Sequence, residues 1–221
     1  MTTIPILYED GEALVIDKPG GLPIETPRRG GPALTDLYDE LKLRFHRPPV
    51  AVHRIDTDTS GCLLLARNPK ALKRFSRAFE DRQVTKRYLG ILAGGIADRE
   101  GVIDLPLAKI SSAEAGWRMV PDPDGKPSVT HWRRLMVVDG LTLVEFRPET
   151  GRTHQIRVHA ASGLGVPLLG DPVYSPKEQV STARRTMLHA ANIAIPRDGK
   201  PTIEASAPLP PEFTVLGFRD E

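Results

Sequence analysis

A chain of 221 residues, 40% apolar and 26% charged, can bury a core of its own and has the usage of a globular domain, which excludes disordered, fibrous and membrane classes. The formal net charge of +2 does not by itself announce a nucleic-acid partner, and the single cysteine, Cys62, excludes an intrachain disulfide and a thiolate metal cluster. No basic segment followed by an apolar stretch opens the chain, and no apolar run approaches a membrane span. A soluble, cytoplasmic, monomeric protein is expected.

In chain order, Glu12 to Lys18 reads as a strand that enters a Pro/Gly-rich loop over residues 19–32. Leu34, Leu37, Leu41 and Phe45 have helical spacing, with Thr35 as a cap and Pro48-Pro49 as the stop. Val50 to Ile55 and Cys62 to Arg67 read as extended around a turn at Asp56, with Cys62 a small core residue. Asn68-Pro69 then supplies an N-cap and a first-turn proline. The helix that follows has an apolar stripe of Leu72, Phe75 and Phe79, leaving Lys73, Arg74 and Arg77 outward. Around it, Arg67, Lys70, Lys73, Arg74, Arg77, Arg82, Lys86 and Arg87 face only Glu80 and Asp81. Such local density suits phosphate binding, although a plainly solvated helix face has the same pattern.

Tyr88 to Ala93 reads as a strand, and loop-rich sequence follows to about Gly125. Val129 to Val138 and Leu141 to Arg147 flank Asp139-Gly140, a two-residue hairpin signal, and Asp198-Gly199 repeats it between Ile193–Ile195 and Thr202–Glu204. Ile156, Ala160 and Ala161 fit one face of a helix closed by Gly163. Hairpins mixed with a few helices predict an α+β fold.

Two segments carry the chemistry: His53-Arg54-Ile55-Asp56-Thr57-Asp58-Thr59-Ser60-Gly61 and Glu149-Thr150-Gly151-Arg152-Thr153-His154-Gln155-Ile156-Arg157-Val158-His159. Buried carboxylates and guanidiniums are costly unless partnered. One cluster is centred on carboxylates and the other is cationic after Glu149, so the two can satisfy each other. The first resembles the His-Arg-x-Asp-x-x-Thr-Ser-Gly signature of the RluA-type pseudouridine synthases. Asp17-Lys18-Pro19-Gly20-Gly21-Leu22 is similar to that family's N-terminal motif, Lys86-Arg87-Tyr88 to its tyrosine motif, and the second segment to its arginine motif. Pro167-Leu168-Leu169-Gly170-Asp171, Leu188-His189-Ala190 and Ala207-Pro208-Leu209-Pro210 follow in the same order.

The resemblance implies a mixed, mostly antiparallel sheet with flanking helices. It also implies one catalytic domain over residues 1–221, with no room for an N-terminal S4-type domain before the first motif. Asp56 takes the place of the catalytic carboxylate and Asp58 that of a non-catalytic neighbour. Arg157 becomes the partner that keeps Asp56 ionised in a closed pocket, while Arg152 is a phosphate or structural contact. Arg54 would hold the displaced strand once the target base is extruded, Tyr88 would stack on the uracil, and Leu188 would close the pocket. The expected partner is a structured RNA, a tRNA anticodon loop or a 23S rRNA hairpin, with no cofactor. The histidines fit no zinc spacing.

Two rivals remain. Asp56-Thr57-Asp58-Thr59 also resembles the nucleophile motif of haloacid-dehalogenase-type phosphatases, which would bring magnesium and a doubly wound fold. A non-catalytic RNA-binding module would explain the basic helix but gives Asp56 no purpose.

Overall fold

The computed structural model of the chain describes residues 4–112, 116–176 and 183–219. Strand β1 (Ile6–Glu9) turns at Asp10, whose carboxylate accepts the N–H groups of Glu12 and Ala13, into β2 (Ala13–Lys18). The helix expected over Leu34 to Phe45 does not form. Two 3₁₀ turns, Leu34–Leu37 and Glu40–Lys42, replace it, and Leu43 takes a φ of 53° through which no helix continues. Asp36 rather than Thr35 supplies the capping bond, accepting the Ala33 N–H at 2.8 Å. Asp36, Tyr38 and Asp39 give the segment poor helix propensity, and the Tyr38 hydroxyl accepts the Ala51 N–H instead.

Strand β3 (Val50–Ala51) is shorter than the expected run to Ile55, and β4 (Ser60–Ala66) is buried along its whole length. In α1 (Pro69–Glu80) the Asn68 side chain accepts the Ala71 N–H at 2.9 Å and Pro69 occupies the first turn. The helix buries Ala71, Phe75 and Ala78, while Leu72 and Phe79 of the expected stripe are half-buried. Strand β5 (Thr85–Leu92) precedes β6 (Glu100–Asp104), β7 (Leu107–Ser112) and β8 (Gly116–Pro121), three strands where loop was expected. These strands are half-exposed and carry charged or small residues, so the apolar alternation that marks a strand is faint.

β9 (Val129–Val138) and β10 (Leu141–Pro148) form the expected hairpin, and both Asp139 and Gly140 have positive φ, as a type I′ turn requires. Helix α2 (Gln155–Val158) continues as a wider π-type turn, His159–Gly163. Gly163 is needed there for closeness rather than for handedness: a Cβ would stand 2.7 Å from Ile103 Cγ2, and the left-handed glycine is Gly165. β11 (Leu188–Arg197) and β12 (Lys200–Ser206) pair across Asp198-Gly199, and α3 (Pro211–Val215) ends the chain's regular structure.

The sheet is mixed and mostly antiparallel, with few helices. The chain divides into two compact units, one of residues 1–86 and 190–208, the other of residues 87–189 and 209–221. In the first, β1 pairs with β2, β2 and β3 with β4, and β11 with β12, all antiparallel. Leu14, Ile16, Leu63, Leu64, Leu65, Phe75, Ile195 and Ile203 are its buried apolar residues. Cys62 lies among them, its Sγ 3.5 Å from the Ala205 carbonyl, and burial pushes its thiol up to about 12. In the second, the order is β5-β10-β9-β6, with β7 and β8 as a separate hairpin. Its core is Leu92, Ile103, Trp132, Val144, Phe146, Ile156, Ala160, Leu168 and Leu188.

Gly61 is the tightest position of the first unit. Its φ is +103°, and a Cβ would stand 2.2 Å from the Ala190 carbonyl oxygen. Gly61→Ala therefore combines backbone strain with overlap against main chain and is expected to cost more than about 3 kcal/mol, read as a lowered denaturant midpoint. An unchanged midpoint would refute that close approach.

Candidate active site

The signature carboxylate sits in a turn that opens β4. The Thr59 N–H donates to the Asp56 carbonyl at 3.1 Å, and Asp56 itself is half-buried. What holds the turn is a residue the sequence did not single out. Lys18 is fully buried, and its ammonium donates to the carbonyls of Pro19 and Leu22 at 2.8 Å each and of Thr57 at 3.0 Å. An ammonium has three N–H donors, and here the glycine loop takes two while the Asp56 turn takes the third. The Gly21 N–H reinforces the link, donating to the same Thr57 carbonyl at 2.9 Å. The N-terminal motif is thus a clamp on the carboxylate turn, legible from the buried-lysine chemistry only once β2 and the turn are seen to adjoin.

Arg54 is exposed at the mouth of this turn. His53 beside it is a structural residue: its Nε2 accepts the Leu64 N–H at 3.1 Å and its ring stacks on Phe79 at 4.6 Å. Desolvation holds it down to about 3, with the Lys86 charge adding to the effect, so it is neutral near pH 7. Lys86 in turn is brought down to about 8 by burial.

In the second unit, Tyr88 lies on β5 opposite Phe146 and packs against the cluster that contains Leu188 and Ile156. The structure thus brings two predicted base-holding residues, Tyr88 and Leu188, to one apolar patch. Arg157 is buried, and its guanidinium makes a two-pronged bond to Asp171, Nε to Oδ2 at 2.7 Å and Nη2 to Oδ1 at 2.8 Å. Asp171 Oδ1 also accepts the N–H groups of Val173 and Tyr174. A paired fork of this kind fixes the plane of the guanidinium. Gly170 permits it, since its φ is +75° and a Cβ there would stand 2.2 Å from the Arg185 carbonyl oxygen. The Arg152 Nε donates to the Pro127 carbonyl at 3.2 Å.

The basic stretch is less free than its sequence suggests. Arg74 is tied to Glu12 at 2.6 Å, Arg87 to Glu145 at 2.6 Å, and the Arg67 side chain is buried over the Phe45 ring beside Glu9. Carboxylates distant in sequence supply these partners, so a local count of charges overstated the cationic face. Lys70, Lys73, Arg77 and Arg82 remain exposed, Arg77 with a loose contact to Asp81 at 3.4 Å. His159 is buried between the Thr130 hydroxyl and the Leu105 carbonyl, and burial lowers its pKa. Among the described residues, no group of three or more His, Cys, Asp or Glu side chains could hold a metal ion.

The comparisons decide between the readings. The family model described as RNA pseudouridylate synthase matches residues 12–162. The chain belongs to the RNA pseudouridylate synthase family. An RNA pseudouridine synthase of Zymomonas mobilis is 54% identical, over 96% of this chain and 97% of that protein. The ribosomal large subunit pseudouridine synthase D of Haemophilus influenzae is 36% identical, over 96% of this chain and 69% of that one. The solved human RNA pseudouridylate synthase domain containing 4 superposes with a TM-score of 0.79 at 27% identity, over 95% of this chain and 90% of that one.

This pseudouridine synthase isomerises uridine in RNA to pseudouridine, and neither rival has support. The phosphatase reading also fails on architecture, because its Asp would follow a strand of a doubly wound sheet. Here Asp56 precedes β4, and the ladders named above are antiparallel. Asp171, named in the sequence only within a weak motif, emerges as the anchor of Arg157. Removing one partner of a buried, two-pronged ion pair is strongly destabilising, by about 3–5 kcal/mol. Asp171→Ala is expected to lower stability by that order in chemical denaturation; a loss under about 1 kcal/mol would show that Arg157 does not depend on it.

Proposed function

We propose that Asp56 is the carboxylate that drives the isomerisation, acting on a uridine extruded from a structured RNA. The observation that supports this is the clamped turn: Lys18 and the Gly21 N–H fix the Thr57 carbonyl, one residue from Asp56. A nucleophile or base held in a fixed orientation needs little reorganisation at the moment of reaction. The C1′–N1 bond of the nucleoside breaks and a C1′–C5 bond forms. The proton leaving C5 is balanced by one gained at N1, so no electrons and no group are exchanged with a cofactor. Arg54 is proposed to occupy the place of the extruded base, Tyr88 to stack on the uracil and Leu188 to exclude water around it. Arg157 contributes positive charge in a plane set by Asp171.

The substrate reading is a tRNA anticodon loop, a 23S rRNA hairpin, or both, acted on by a cytoplasmic monomer. The family signature supports it, and a relative named for the large ribosomal subunit supports the second of these. Asp56→Ala is expected to abolish pseudouridine formation while RNA affinity persists. The check is a pseudouridine map of total RNA incubated with each protein, together with a binding titration; near-normal conversion by the variant would sink the assignment.

Exposed Lys73 and Arg77 are proposed phosphate contacts of α1, and Arg74 contributes less because Glu12 holds it. Lys73→Ala with Arg77→Ala is expected to shrink the slope of log affinity against log salt by about 2. Arg74→Ala alone is expected to change it by under about 1. Equal slopes for all these proteins would return the helix to a solvated face.

A further inference from the structure

The β7–β8 hairpin carries an aromatic residue that the reaction does not use. Trp117 is 47% exposed although it is among the largest apolar side chains of the protein. It is nevertheless not loosely placed. Its indole rests on the His154 ring with centroids 5.0 Å apart. His154 Nδ1 lies 2.9 Å from the Tyr174 hydroxyl, which accepts the Met119 N–H at 3.1 Å from the same hairpin. The Arg157 guanidinium lies 5.3 Å from the centre of the Tyr174 ring. An unbroken series of contacts therefore runs from the hairpin surface through His154, which meets the Tyr174 ring edge-on, to Arg157 and Asp171.

His154 takes a left-handed φ of 54° to occupy this place, a conformation that costs a non-glycine residue free energy and that clusters at functional sites. Leu107, Met119 and Val158 form the small core that seats the hairpin. Exposure of the indole is thus built in from below rather than left over from poor packing.

The surroundings select the occupant. Within the strands Leu107–Ser112 and Gly116–Pro121 the charged residues are Lys109 and Arg118, both cationic and exposed. The Lys109 ammonium stands 5.2 Å from the indole centroid. Lys109 shares the Trp117 face of the hairpin, whereas Arg118, the next residue along the strand, leaves the opposite face. A flat π-face beside a cation suits an unpaired nucleobase with a flanking phosphate, because stacking tolerates any base and the phosphate supplies negative charge. We propose that Trp117 is a stacking platform for an unpaired base of the RNA, with Lys109 on an adjoining phosphate. The assignment rests on the reading of this protein as an RNA-modifying enzyme and adds a contact surface to it.

Tryptophan fluorescence tests it directly, since the chain has two tryptophans and the other, Trp132, is buried. Titration with poly-uridine and with bulk tRNA is expected to quench the unaltered protein, and Trp117→Phe is expected to lose most of that quenching. Truncating the platform under a stacked base removes its π-contact, so Trp117→Ala is expected to weaken binding about tenfold. Trp117→Phe, which keeps a ring, is expected to stay within about threefold of the unaltered protein. Lys109→Gln is expected to reduce the salt slope by about 1. Thermal unfolding of each variant separates lost packing from lost binding. Unquenched emission, or a folded Trp117→Ala with unaltered affinity, overturns the platform. Pseudouridine formation by the unaltered protein, assayed in parallel, keeps the outcomes distinct: its absence refutes the parent reading, whereas its presence beside unaffected Trp117 variants refutes only this one.

Discussion

A buried ammonium whose hydrogens meet main-chain carbonyls is the constraint on which the carboxylate turn depends. Lys18 lies at the end of β2, facing Gly61 across the ladder, and reaches both the glycine loop and Thr57. A positive charge withdrawn from water is unfavourable without such partners. Any movement of the turn away from β2 would take the Thr57 carbonyl from both the ammonium and the Gly21 N–H, so displacing the turn breaks two hydrogen bonds at once, one of them charged. Gly61 makes the arrangement possible from the other side, because no side chain fits between β4 and the Ala190 carbonyl. The glycine that ends the signature is therefore part of the mounting, and Asp56 is what is mounted.

The second unit solves a different problem by the same means. It presents a guanidinium in a buried setting, and a carboxylate with two further backbone donors holds that guanidinium in one plane. Around it, the Gln155 side chain links Thr150, Thr130 and Val129, so the start of α2 is bonded to the start of β9. Polar groups this dense are tolerated because each finds a partner, and rigidity is what the protein gains from them.

The parts of this structure that were legible in the sequence are those governed by local rules. Asn68-Pro69 opened α1 as capping chemistry dictates, and Asp139-Gly140 closed its hairpin because both positions need positive φ. The function was legible because motif order is a property of the chain itself. The failures share one cause, which is dependence on distant neighbours. Residues 34–45 had helical spacing but lost the helix at Leu43, with the Tyr38 hydroxyl bonded instead to Ala51 of β3. Arg67 and Arg74 looked like surface charge until Glu9 and Glu12 folded back upon them. The β7–β8 hairpin, with its weak alternation, becomes visible only through the stack that supports it.

The assembly of one unit from residues 1–86 and 190–208, and of the other from residues 87–189 and 209–221, has a consequence for biogenesis. β4, buried over its full length, adjoins β11 in the finished sheet, yet β11 lies more than a hundred residues downstream in the sequence. At ordinary translation speeds this delay is on the order of ten seconds. Throughout it the nascent chain carries a greasy, unmatched strand edge, the sort of surface on which chaperones act and on which premature self-association begins.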